Sequence, residues 1–383
     1  VGNSILIAYL SVLLLCAGCT KATTFSAYQD PVSSGEAQDI PSDDDENPDD
    51  DEDPVAPPAS SDTSVYKPYG AFTSKVTDGS LDNPVAKGAL VRAKWEQVEP
   101  NPGEFDFSDI DNQIADIKAR GKQYSLAVLA GYISPAWLID DLGVDYFEVI
   151  FHLKEERVPK FWDEKLQNRL AILAEKLAER YGDDEDLVLV YVPQLTLNGV
   201  EGHFNGMDRE DLEAVGFTDE RWIDAGVAAA RSFAQHFSKK ALAYEVHELP
   251  EGEVYVPQTI IETLWNDPTL NQRVGAAAWW LAGRDDYNSL TLNFLAQFTG
   301  DKYAQIIGNS SQDCYPNFSC TDNMGKVWEA YGRFPNGGYT SVFEQAKAMG
   351  FRYMEPWNYE FENNTYDDEI SEFNNHAEQM YGE

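Results

Sequence analysis

The chain has 383 residues and a formal net charge of −38 at pH 7, from 66 Asp and Glu against 28 Lys and Arg. So large an excess of carboxylate repels phosphate backbones and excludes nucleic acid as a partner. It weighs less heavily against a polyanionic glycan, because a local basic pocket can override the global field, and high surface acidity also suits salty water.

In chain order, the first distinct segment is apolar, ILIAYLSVLLLCAG, and ends at Cys19. A run this short does not span a bilayer stably. The small residues ahead of the cysteine, in Cys16-Ala17-Gly18-Cys19, resemble the lipobox of bacterial lipoproteins. That resemblance implies acylation at Cys19, export, and attachment to the cell envelope by lipid alone, on the outer-membrane surface or the periplasmic face. Cys16 stands where Leu is usual, and no Lys or Arg precedes the run; an ordinary signal peptide and a plain anchoring helix stay open as alternatives. Residues 1–19 are read as the signal segment.

Residues 20–64 are rich in Ser, Asp, Glu and Pro, with nine carboxylates between Asp43 and Asp53. Such a stretch buries too little apolar surface to offset its ordering entropy, so it reads as a disordered, self-repelling tether. A calcium loop is the sharper alternative, but SDDDENPDDDED lacks the spaced ligands and glycine of an EF-hand.

From residue 65 to 383 the pattern alternates apolar β-type runs with amphipathic helical runs, the habit of a parallel sheet wrapped by helices. The candidate strands are YGAFTSK, GALVRAKW, QYSLAVLAG, LVLVYVPQL, ALAYEVH, VGAAAWW, YAQIIGN and FRYMEP. Eight strands in one domain of this length predict a single TIM-type (β/α)8 barrel. Helices are expected over DIDNQIADIKARG, EKLQNRLAILAEKLAERYG, DERWIDAGVAAARSFAQHFS and SVFEQAKAMG, with Gly121, Gly182 and Gly350 as stops. VTDGSLDNPVAK, between the first two strands, has no helical pattern, so the first crossover helix is expected to be missing or replaced by a loop. Cys314 and Cys320, close together in CYPNFSC on a chain read as exported, predict a disulfide. Two thiols with no nearby His make half a zinc set. No metal and no cofactor are expected, and the protein is expected to act as a monomer.

In such a barrel the reactive groups sit at the C-terminal strand ends. These carry Lys94, Trp95 and Glu96; Tyr132 to Trp137; Asn198, Glu201 and His203; Glu245, His247 and Glu248; Trp279 and Trp280; and Glu355, Trp357 and Tyr359. Carboxylates, aromatic planes and amides suit sugar rings, whose C–H faces stack and whose hydroxyls need polar partners. No glycine-rich phosphate loop is present, and no GxSxG elbow favours an esterase. Trp279 and Trp280 are neighbours on one strand and must point to opposite sides, so one of them packs against the outer helices.

The stretch from Gly88 to Leu138 carries Arg92, Trp95, Glu99-Pro100, Gly103, Phe105-Asp106-Phe107 and Pro135 to Leu138 at fixed spacings. In these it resembles the second and third βα units of clan A glycoside hydrolases, and the family 42 β-galactosidase group in particular. The resemblance implies an acid/base Glu ending the fourth strand, usually after Asn, and a nucleophilic Glu ending the seventh. By position Glu201 is the acid candidate, although Val200 precedes it and Asn198 lies three back; YAQIIGNSSQDC has no Glu at all. Hydrolysis needs two carboxyls across the scissile bond. Glu355 is the first candidate for the second and Glu245 the next, and the opposite placement of strands four and eight favours a wide separation and inversion. Arg92, Trp95, Trp137, Asn198, His203, Trp279 and Trp357 are the candidate substrate contacts. Glu99 reads as a tie for its own loop, and His203 and His247 as hydrogen-bonding groups. Salt-bridging of the strand-end carboxylates to Arg92, Arg273 or Arg352 is the bland alternative. The expected activity is hydrolysis of a polysaccharide or its oligosaccharides; the alternative is a surface glycan-binding lipoprotein on an inactive barrel.

Overall fold

The computed structural model describes residues 65–382, except 152, 205–206, 308–319, 322–326 and 329–337. The expected signal segment with Cys19 and the acidic tether lie outside the described residues. So does the expected disulfide, since Cys314 is not described and only the backbone of Cys320 is.

Eight parallel strands close into a barrel: β1 (Gly70–Thr73), β2 (Gly88–Lys94), β3 (Gln123–Leu129), β4 (Leu187–Tyr191), β5 (Ala241–Glu245), β6 (Val274–Leu281), β7 (Lys302–Ile306) and β8 (Tyr353–Glu355). Six fall inside the runs expected from sequence; β6 runs one residue past its expected end, to Leu281, and β7 starts one residue before its expected start, at Lys302. The ring closes where β1 pairs with β8, Gly70 against Tyr353 and Ala71 against Met354. These strands are almost wholly buried because helices cover one face and the barrel interior the other, which is why they read as continuous apolar runs.

The wrapping helices include α1 (Ser108–Lys118), α2 (Glu164–Tyr181), α3 (Asp219–His236), α4 (Tyr255–Trp265), α5 (Ser289–Gln297), α6 (Thr340–Ala348) and α7 (Asp367–Tyr381). In α2 the sequence sets both the start and the buried face. Asp163 caps the helix by accepting from the N–H groups of Lys165 and Leu166 at 2.8 and 3.2 Å. Leu166, Leu170, Leu173 and Leu177 recur at helical spacing and are buried, each contributing roughly 1.5–3 kcal/mol. Gly121 and Gly350 terminate their helices with φ of 64° and 72°, whereas Gly182 stays right-handed at φ −61°. The first crossover holds one short helix, Asp78–Asp82, started by Thr77, where sequence periodicity suggested none. A five-residue helix is too short to print a period.

Between β3 and α2 the chain adds an antiparallel hairpin, Tyr146–Phe151 with Lys154–Pro159, which the sequence reading did not anticipate. Phe151 packs edge-on against Tyr132 at 5.3 Å. Among the described residues no helix is long and apolar enough to cross a membrane.

The mouth of the barrel depends on a close approach behind Tyr132. Gly131 has φ 71°, and a Cβ there would lie 1.7 Å from the carbonyl oxygen of Thr196, in the loop that follows β4. Gly131→Ala must therefore move backbone as well as strain φ. It is expected to lower the unfolding free energy by at least about 2 kcal/mol, read as a fall in the urea midpoint with the slope unchanged.

Candidate active site

Side chains alternate in and out along a strand, so the inward residues follow from parity. Leu90, Ala127, Leu189, Ala243, Ala277, Tyr303 and Tyr353 belong to the core inside the barrel. Two residues further along each strand come Arg92, Leu129, Tyr191, Glu245, Trp279, Gln305 and Glu355, the last inward layer before the mouth; for β4 Leu189 leads to Tyr191. Trp280 has the opposite parity. It lies in the outer core and donates its indole N–H to the Val246 carbonyl at 2.7 Å, while Trp279 faces inward, as the alternation required.

Glu355 is fully buried and both its oxygens are engaged. Oε1 accepts from Tyr353 at 2.6 Å, Tyr191 at 2.9 Å and Ser125 at 3.3 Å, and Oε2 accepts from Gln305 at 2.6 Å. Burial pushes its pKa up, against the pull of the Tyr353 hydroxyl, the Arg92 charge, Gln305 and Tyr191. A carboxylate saturated in this way is a strut joining β3, β4, β7 and β8. The wide pairing of Glu355 with Glu201 expected from sequence is not what the geometry brings together.

The carboxyl whose charge bears on Glu201 is Glu245. Glu201 sits in the loop after β4, and Glu245 accepts the N–H of Gly202 on Oε2 at 2.6 Å. Glu201 is pushed up to about 8 by burial and then by the Glu245 charge, opposed by Arg92 and the Asn198 amide. Glu245 is likewise pushed up to about 8 by burial, opposed by N–H groups of Gly202, Trp279 and Trp280. Glu245 is only 1% exposed, whereas residue Glu201 as a whole is less completely covered.

Around this pair the polar groups interlock. The Asn198 amide lies 3.4 Å from Glu201 Oε2 and 3.5 Å from His203 Nδ1. His203 stacks on His247 with centroids 4.4 Å apart. Both imidazoles are held neutral: burial and the neighbouring ring bring His203 down to about 3, and burial, opposed by Glu248, brings His247 down to about 4. Among the described residues no cluster of three or more His, Cys, Asp or Glu is arranged to hold a metal ion.

Arg92 projects into the mouth over the faces of Trp279 at 4.9 Å and Trp357 at 5.5 Å. Its Nε and Nη2 are buried without a hydrogen-bond partner among the described residues. Burial lowers its pKa, opposed by the charges of Glu355 and Glu201. Trp357 is half-buried and donates to the Ile306 carbonyl at 3.1 Å.

Two expected substrate contacts lie elsewhere. Trp95 is fully buried, with its N–H on Glu99 Oε2 at 3.1 Å, and Trp137 is buried, with its N–H on the Glu99 carbonyl at 3.0 Å and Arg169 over its ring at 5.1 Å. Both indoles pack under the loop instead of facing the mouth. Glu99 also receives the Gly103 N–H at 2.8 Å and pairs with Arg169, and so ties down that loop as the sequence suggested. Arg273 caps α3, donating to the carbonyls of Ala234, Phe237 and Lys240, and Arg352 pairs with Asp301. Neither neutralises a strand-end Glu. Tyr191, Ser125 and Gln305 were missed by sequence reading, because they lie within strands and not in the loops; parity counting from Arg92 and Glu355 was the signal that could have found them.

A closed eightfold barrel with a buried carboxyl pair and aromatic planes at its C-terminal mouth resembles the clan A glycoside hydrolases. Consistent with this, residues 86–194 match the sequence profile of glycoside hydrolase family 42, described as beta-galactosidase. The match spans β2 to just past β4, including Arg92 and Glu99, and ends ahead of Glu201. No curated protein matches the chain by sequence. Among solved structures, the catalytic domain of a beta-amylase from Paenibacillus polymyxa superposes with a TM-score of 0.52 at 9% identity, covering 81% of this chain and 100% of that one. The xylanase XynB of Paenibacillus barcinonensis gives 0.48 at 16% identity, covering 76% and 83%. At these identities the likeness is one of fold.

The carboxyl pair also sets a stability signature. Glu201 and Glu245 have folded pKa values raised above their unfolded ones, so the folded chain binds more protons than the unfolded chain between the two. Stability is then greatest at acid pH and falls as pH rises through about 8. The urea midpoint should drop across this interval in the native chain, and the drop should shrink in Glu245→Gln; an equal drop in both would exclude the pair as its source.

Proposed function

We propose that the protein is a glycosidase that hydrolyses a polysaccharide or its oligosaccharides, with Glu201 as general acid and Glu245 as the carboxylate that shares its proton. The observation that carries this is the Glu201–Glu245 pair at the barrel mouth, two carboxyls pushed up to about 8, with Glu245 sealed and Glu201 on the loop above it. Like charges in a desolvated site cannot both ionise cheaply, so at neutral pH one of them stays a carboxylic acid, ready to protonate a leaving-group oxygen. The family match over residues 86–194 supports the reaction class. Trp279, Trp357 and the Arg92 guanidinium between them supply planes and donors suited to a sugar ring.

Glu201→Gln removes the transferable proton and keeps the shape. It should lower kcat/KM by about 100- to 10,000-fold on oligosaccharides, and by much less on aryl glycosides whose leaving group departs without protonation. Unchanged turnover of oligosaccharides would sink the assignment. Glycan retained in native gels with no reducing ends released, and affinity lost in Trp357→Ala and not in Glu201→Gln, would instead favour the glycan-binding alternative.

The lipobox-like Cys16 to Cys19 and the acidic stretch after it support a place in the cell envelope, with Cys19 acylated and the barrel held off the membrane. Expressed with its leader in a bacterium, the chain should label with palmitate and fractionate with membranes. Cys19→Ala should lose both; a soluble, unlabelled parent chain would reject the anchor.

A further inference from the structure

We propose that His247 is a positioning residue for Glu245: it carries its single proton on Nδ1, donates it to Glu245 Oε1, and so makes Glu245 the charged member of the carboxyl pair and Glu201 the protonated one.

The direction follows from which atoms face one another. His247 is 4% exposed, and its Nε2 faces the Asn288 side-chain nitrogen at 3.3 Å. An amide nitrogen only donates, so Nε2 must be the lone-pair nitrogen of the ring. A neutral imidazole has one N–H, which leaves it on Nδ1. That atom lies 3.5 Å from Glu245 Oε1; both are buried, and no well-formed hydrogen bond from the described residues reaches either. Two buried polar atoms that close, each short of a partner, are satisfied together by a small movement that brings the N–H onto the carboxylate.

Glu245 would then accept on both oxygens, from Gly202 and from His247, while Glu201 has the Asn198 amide at 3.4 Å. Donors favour the ionised form, so the charge goes to Glu245 and the proton stays on Glu201. The His203 ring takes the opposite tautomer, because the Asn198 amide nitrogen faces its Nδ1. The other charged group acting on His247 is Glu248, whose carboxylate caps α5 through the N–H groups of Leu290 and Thr291. The titratable group stacked on the ring is His203.

The consequence for catalysis rests on the glycosidase reading, but the proton placement does not, and the two are tested separately. The full chain labelled with 15N-histidine gives long-range proton–nitrogen correlations that separate an N–H nitrogen from a lone-pair nitrogen in each ring. The His247 signals are assigned by their loss in His247→Asn, or by elimination through His203→Gln if that variant does not fold. At neutral pH Nδ1 is expected to be the N–H nitrogen of His247 and Nε2 that of His203. A proton on Nε2 of His247, or on both of its nitrogens, would overturn the proposal.

Kinetically, His247→Phe removes one hydrogen bond to a charged group, worth about 1.5–3 kcal/mol. The acid limb of the kcat/KM–pH profile should therefore move up by about one to two pH units. His247→Asn keeps an N–H near the Nδ1 position and should restore most of it. An unmoved limb in His247→Phe would remove His247 from the reaction. A parent chain inactive on every glycoside, with Nδ1 of His247 still protonated, would fail the glycosidase reading alone.

Discussion

A carboxylate sealed inside a barrel must have its lone pairs satisfied by the walls, and Glu355 is where this barrel meets that demand. Its two oxygens collect donors from β3, β4, β7 and β8, which lie far apart in sequence, and each donor is placed by strand parity in or beside the layer that ends the core. Removing any one would leave a buried charge short of a partner, which costs more than the hydrogen bond itself contributes. The same charge opposes the fall that burial imposes on the Arg92 pKa. Arg92 can therefore stand in the mouth over Trp279 and Trp357 without an ion pair among the described residues. The position of the cation, and with it the shape of the mouth, depends on the strut below.

Above that layer the chemistry divides between two kinds of carboxyl. Glu355 is surrounded by hydroxyls and an amide that hold it in place, whereas Glu245 accepts the Gly202 N–H from the loop that carries Glu201, and Glu201 has the Asn198 amide at 3.4 Å. Burial acts on all three. The differing supply of donors separates a strut from a pair suited to holding a proton. Gly202 contributes through its backbone, so the loop that carries Glu201 also fixes Glu245.

The sequence was legible where periodicity and position carry the signal. All eight strands coincide with the expected runs to within one residue, because buried parallel strands are continuous apolar segments, and Glu201 could be singled out because the fourth strand end is a place and not a motif. Glu99 was read correctly as a loop tie, since it follows a Trp at helical spacing and precedes a glycine turn. Trp95 and Trp137 misled, because an indole near a strand end looks the same in sequence whether it lines a mouth or packs beneath a loop; the Glu99 acceptors that decide the matter lie on one carboxylate and one carbonyl of the same turn. Glu355 misled for a related reason. Its donors Ser125, Tyr191 and Gln305 come from three other strands, and no local window of sequence contains them.

The absence of a Glu on the seventh strand takes on a different meaning once these contacts are known. The inward residue at that strand end is Gln305, and its amide nitrogen is spent on Glu355 at 2.6 Å. An acidic residue in its place would set a second negative charge against a saturated carboxylate in a dry layer, so the amide is what the strut requires. At the neighbouring strand ends β4 and β5, the loop carrying Glu201 is tied to Glu245 through Gly202, on the side of the mouth where His203, His247, Asn198 and Asn288 supply neutral polar contacts. The carboxyls with raised pKa and the neutral imidazoles thus lie on one side of the ring, and Arg92 lies over Trp279 and Trp357 on the other strands.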